Sequence, residues 1–240
     1  MRVKAVISYD GSKFYGFQKQ STTTQTVTTQ IEFALKSLQI NSPIVGSGRT
    51  DRGVHASSQV IHFDIPSYWD DICKLQNVLN NKLRYIRFKH ISKVEDNFHA
   101  RFNAKKRIYR YVFQTKPISV FQKDYISFYK KFDKDKLQNA LECFVGEHDF
   151  ALFYKQGSQT HTTIRNIYKA YYIKQNDIYC IYFEANGFLR SQVRMMVDAC
   201  MQVATDTLDI QSLKKQISNK QKYTTKLAPP QGLYLARIIY

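Results

Sequence analysis

At 240 residues, 43% hydrophobic and 14% aromatic, the chain can form one large or two small globular domains and is too apolar for a disordered one. Its 36 Lys and Arg against 19 Asp and Glu give a formal charge of +17, divided as +6 over residues 1–104 and +11 over 105–240, so the excess is not a tail and points to a polyanionic partner. No apolar run approaches the roughly 20 residues of a membrane span, and the scattered Cys73, Cys143, Cys180 and Cys200 suit reduced thiols in the cytoplasm.

The elements follow in chain order. Residues 2–9 alternate, with Val3, Ala5, Ile7 and Tyr9 on one side, and so predict a strand rather than a secretion signal. Val27, Ile31, Leu35 and Leu38 at helical spacing predict a helix within 24–40. A short strand at 43–47 leads to a glycine-rich loop, and alternation returns at 58–65. A second helix is expected at 70–83 and a strand at 85–94. Beyond a join near 100–106, strands are expected at 106–115, 164–174, 178–185 and 233–239. Helices are expected at 133–145, with Asp133 as N-cap, at 189–204 and near 208–217. Each part approximates β-α-β-β-α-β, the ferredoxin-like order. The expected fold is α+β, with an N-terminal half at 1–104 and a C-terminal half at 105–240.

Three of the nine glycines fall within Gly46-Ser-Gly-Arg-Thr-Asp-Arg-Gly53. A charged loop punctuated by glycine can bring backbone and side chains close to a ligand. Asp51 lies between Arg49 and Arg52, cations that favour an ionised carboxylate. The same residues could also make a surface turn with an Arg–Asp pair. A phosphate-binding loop is disfavoured, because no Lys-Ser or Lys-Thr follows the glycines. No His or Cys cluster has metal-ligand spacing.

The stretch GSGRTDRGVHASSQVIHF resembles the signature of the TruA family of tRNA pseudouridine synthases. Six further blocks agree in order: Tyr9–Gln18, Phe98–Phe102, Arg107–Tyr111, Gly146–Phe150, Asn186–Arg194 and Ala228–Leu235. The resemblance implies two ferredoxin-like halves packed into a pseudouridine synthase fold with a central mixed sheet. It implies an isomerase that turns uridine into pseudouridine at positions 38, 39 and 40 of the tRNA anticodon stem-loop. Asp51 would be the catalytic aspartate, Arg194 its partner, and Tyr109 the support of the target base. Arg49 would assist in opening the RNA. Arg52, His55, Lys105, Lys106 and Arg107 are further candidates for RNA contact. The resemblance also implies a homodimer. Neither metal nor organic cofactor is expected, since the isomerisation involves no redox change and no group donor. Two departures stand out: Phe17 where many members have Trp, and Gln192 where many have Met. The competing reading is a non-catalytic RNA-binding protein, which the ferredoxin-like order and aromatic strands would also suit.

Overall fold

A computed structural model describes residues 1–157 and 160–240. Two compact units emerge: Met1–Lys105 together with Leu235–Tyr240, and Lys106–Tyr234. The fold is α+β, as expected, with antiparallel ladders and a parallel pairing of Phe113–Gln114 with Ser127–Phe128.

The first unit runs β1 (Arg2–Tyr9), α1 (Val27–Lys36), β2 (Val45–Gly46), β3 (His55–Asp64), α2 (Ile72–Lys82) and β4 (Ile86–Lys93). In its sheet β1 lies between β3 and β4, and β2 flanks β3. That is the ferredoxin-like arrangement in space as well as in order. The alternation of β1 sends Val3, Ala5 and Ile7 into the core, in register with Phe63, Ile61 and Gln59 of β3. Ile31, Leu35, Leu75 and Leu79 cover that face from the two helices. Each helix begins where a side chain satisfies a free amide: Thr26 Oγ1 accepts from Thr29 N at 3.2 Å, and Asp71 Oδ1 from Lys74 N at 2.8 Å.

The second unit opens with β5 (Lys106–Gln114) and a two-residue β6 (Ser127–Phe128). It continues through α3 (Lys134–Glu142), β7 (Gly146–Asp149), β8 (Ile164–Gln175), β9 (Ile178–Ala185), α4 (Gln192–Ala204) and α5 (Ile210–Ile217). The strand order is β5-β9-β8-β7, with β6 parallel to β5. Tyr111, Phe113, Phe144, Phe150, Phe153 and Phe183 are fully buried, an aromatic core beneath α3 and α4. Asp133 caps α3 by accepting from Asp135 N and Lys136 N at 2.9 and 3.0 Å.

The strand β10 (Leu233–Ile239) closes the chain, and its residues from Leu235 onward belong to the first unit. β6 and β7 are strands that periodicity does not reveal, being two and four residues long. The last long helix begins at Gln192 rather than 189, because Ser191 takes a left-handed φ of 60° that a helix cannot include. Among the described residues, no helix is long and apolar enough to cross a membrane.

Candidate active site

The glycine-rich loop connects β2 to β3, and residues 9–17 hold it in place. The Tyr9 hydroxyl hydrogen-bonds Thr50 Oγ1 at 2.8 Å in the interior. Phe17 N donates to Thr50 O at 3.1 Å, and Gly53 N donates to Phe14 O at 3.4 Å. Gly11 N donates to Nδ1 of buried His55 at 3.0 Å. A Cβ on Gly11 would collide with the carbonyl of Val54, so this backbone approach requires glycine. Val54 N donates to Asp51 O at 3.1 Å, which closes a turn around the aspartate.

A buried amide braces the other limb of the loop. Gln59 accepts from Ser47 Oγ at 2.6 Å and donates to Gly48 O at 2.9 Å. The Phe17 ring fits where Gly46 has no side chain; a Cβ there would lie 2.5 Å from the ring. The Phe that replaces the family's common Trp is therefore a packing element against the loop. Asp51 itself is half-buried, Arg49 and Arg52 are exposed, and the Arg52 guanidinium lies 4.3 Å from the centroid of the Tyr15 ring.

Two further candidates, Tyr109 and Arg194, stand on regular elements of the second unit. Tyr109, 8% exposed on β5, meets Phe188 edge-on at 5.1 Å. Arg194, in the first turn of α4, donates from Nε to Ala228 O at 2.8 Å, while Ala228 N donates to Arg194 O at 3.1 Å. Tyr111 shares the inward face of β5 with Tyr109. Burial pushes its phenol well above the usual range, with the nearby Arg194 charge acting weakly in the opposite sense. Gln192 is fully buried; its Oε1 accepts from Leu189 N at 2.7 Å and closes the turn that leads into α4.

The remaining candidates divide by environment. Lys105 is exposed. Lys106 pairs with Glu184 at 3.2 Å, and Arg107 donates to Asn186 O at 2.7 Å, so both are partly engaged within the protein. His55 is only 2% exposed and supports the loop from behind. Among the described residues, no group of three or more His, Cys, Asp or Glu is arranged to hold a metal.

Sequence comparison bears directly on this arrangement. The model of the tRNA pseudouridine synthase family matches residues 5–103 and 140–240, which include the Asp51 loop, its bracing segment and the Arg194 helix. The chain belongs to that family. The enzyme is thus an isomerase of uridine in tRNA. It is 40% identical, over the full length of both chains, to a tRNA pseudouridine synthase A of Campylobacter jejuni. It is 38% identical to the Wolinella succinogenes protein of the same name, over 98% of this chain and 93% of that one. A Helicobacter hepaticus tRNA pseudouridine synthase A is 40% identical over 99% and 98% of the two chains.

Ser47, Gln59 and Tyr15 are residues of this site that the sequence reading passes over. Gln59 carried a signal: it occupies an inward position of β3, in line with Ile61 and Phe63, where a polar side chain needs a partner. Tyr15 carried none beyond its place in the Tyr9–Gln18 block.

Proposed function

We propose that this enzyme makes pseudouridine at positions 38, 39 and 40 of the tRNA anticodon stem-loop, with Asp51 as the catalytic carboxylate. The bracing of the Asp51 loop is the observation that carries the choice of Asp51, and the positions rest on the family resemblance. A solvent-exposed turn with an ion pair has no need of a buried tyrosine hydroxyl, a buried histidine and an obligatory glycine behind it. A carboxylate that must meet one atom of a flipped base does need such fixing.

The other roles rest on family resemblance at matching positions. Arg194 pairs with the Asp51 carboxylate, Tyr109 supports the loosened base, and Arg49 assists in opening the RNA. His55 acts in this reading as a support of the loop. Lys105, with Arg52, Lys106 and Arg107, contributes to phosphate binding, and the +17 charge makes that binding sensitive to salt. The protein works as a cytoplasmic homodimer without metal or organic cofactor.

The test is single-turnover conversion of a uridine-labelled anticodon stem-loop by Asp51→Asn, alongside binding and melting curves. Asparagine keeps the shape of aspartate and suits turns equally well. Conversion should fall by about three orders of magnitude or more, the scale of losing a reacting group, while melting and affinity stay close to those of the parent protein. Near-normal conversion by the folded variant would overturn the assignment. A parent protein that binds the stem-loop and leaves its uridines unchanged would make it an RNA-binding module instead.

A further inference from the structure

Next to Asp51 in the chain, Arg52 lies over the ring of Tyr15, a residue to which the proposed function gives no part. The segments 14–17 and 50–53 run alongside each other, joined by Phe17 N to Thr50 O at 3.1 Å and Gly53 N to Phe14 O at 3.4 Å. Tyr15 and Arg52 face each other between those two bonds. Each is followed by a glycine of positive φ, 114° at Gly16 and 78° at Gly53, so neither segment can run on as a regular strand. The Tyr15 backbone is fixed from both sides: its N–H donates to Gln25 O at 2.8 Å, and its carbonyl accepts from Gln20 Nε2 at 2.8 Å. The Arg52 guanidinium then rests 4.3 Å from the ring centroid.

Both side chains are exposed, Tyr15 by 45%. Among the described residues, no hydrogen bond or ion pair engages the Arg52 guanidinium. Arg2, Arg107 and Arg194, by contrast, direct donors to protein oxygens. A guanidinium held over an aromatic ring keeps its N–H groups available, in the fork that matches phosphate oxygens. The residue next to Asp51 thus carries a cation that is oriented and unspent.

We propose that Tyr15 and Arg52 form a phosphate clamp: Arg52 takes an RNA phosphate adjoining the target uridine, and Tyr15 is a positioning residue that holds the guanidinium in place. The proposal rests on the reading of Asp51 as the catalytic carboxylate. Adjacent Cα atoms are about 3.8 Å apart, so a base delivered to Asp51 brings its own or a neighbouring phosphate within reach of Arg52. Extruding a base requires the backbone on at least one side of it to be held, and a preorganised cation does this without first ordering a long side chain.

The experiment measures tRNA affinity over a range of KCl concentrations, with single-turnover conversion, for the parent protein, Arg52→Gln, Arg52→Lys, Tyr15→Ala, Tyr15→Phe and the Tyr15→Ala/Arg52→Gln double variant. Arg52→Gln should weaken binding several-fold and reduce the slope of log K against log salt by about 0.7 to 0.9, the share of one phosphate. Arg52→Lys should keep the slope and lose part of the affinity. Tyr15→Ala should weaken binding with the slope kept, and Tyr15→Phe should match the parent, because the ring and not the hydroxyl makes the stack. The double variant should be no weaker than Arg52→Gln, since Tyr15 acts through Arg52. An unchanged slope in Arg52→Gln, or additive losses in the double variant, would overturn the clamp. Failure of the parent protein to convert uridine would instead remove the functional reading beneath it, and the same assay separates the two.

Discussion

The two units present their candidate site side chains in opposite ways. In the first, Asp51 sits on irregular backbone whose course is set by glycines, turn hydrogen bonds and the segment 9–17 laid against it. In the second, Tyr109 and Arg194 project from a strand and a helix that would form from hydrophobic periodicity alone. Irregular backbone has few sequences that support it, because every buried amide and carbonyl must find a partner outside a ladder. A helix supplies those partners itself and a strand finds them in its neighbours, which leaves the side chains free to vary.

The sharpest way to break this contrast is through glycine. Gly11→Ala should cost about 3 kcal/mol of stability, at the upper end for overpacking, because the new Cβ meets the backbone carbonyl of Val54 rather than a side chain that can move. It should also lower conversion, since the same displacement shifts the loop that carries Asp51. Gly48→Ala, in the same loop, meets nothing within 4 Å and should stay within about 0.5 kcal/mol of the parent. Denaturant melts of the two variants check this. Equal effects would mean that the loop is held by something other than close approach at Gly11.

The same physics explains what was legible in the sequence. Asp51 stands out because glycines and charges crowd around it, whereas the Tyr9–Gln18 block stands out only through the family resemblance. Strand and helix order followed from alternation and helical spacing in all the longer elements. β6 and β7 escaped because two to four residues hold too little of a period-two pattern. Periodicity starts α4 three residues early, since Leu189 lies on the apolar stripe while the left-handed φ of Ser191 has no signature in the residue itself. By periodicity Tyr109 reads as a core aromatic, and its 8% exposure agrees with that reading. Only the resemblance singles it out.

A departure from the family pattern sharpens the contrast inside a regular element. Gln192 is buried, and its amide oxygen is the acceptor for Leu189 N at 2.7 Å. Gln192→Met would restore the side chain common in the family but leave that amide without its partner. The expected cost is about 1–2 kcal/mol, the range for stranding a buried donor, with conversion lowered less than by Gly11→Ala. A Gln192→Met protein that melts above the parent would show that the turn can find another acceptor, and that the glutamine is a drift within a tolerant helix.

The smallest effect tests whether irregular segments in the first unit share one means of attachment. β3 carries a buried histidine near each end. His55 Nδ1 accepts from Gly11 N at 3.0 Å and docks the segment behind Asp51; His62 Nδ1 accepts from Ala100 N at 3.0 Å and docks the segment that follows β4. Burial, reinforced by the charge of Arg2 and by His99, pulls His62 down to about 4, with Asp64 opposing weakly. The ring is therefore neutral near pH 7, and its Nδ1 lone pair is free to accept the amide. In the unfolded chain His62 returns to an ordinary value near 6.5. Between these values the unfolded state binds the extra proton, so the contribution of His62 is complete above about 6.5 and is lost as the pH falls toward 4. His62→Asn places an amide oxygen near the Nδ1 position and cannot titrate. Its stability at pH 7 should lie within about 1 kcal/mol of the parent, the size of one hydrogen bond, while the loss of stability from pH 6.5 to 4 becomes shallower. Urea melts across that range measure the difference. An equally steep decline in His62→Asn would assign the acid sensitivity to other groups, the Arg2–Asp64 pair first among them, whose carboxylate is held below its usual range by the Arg2 hydrogen bond. The parallel between the two histidines would then be one of geometry without a shared energetic role.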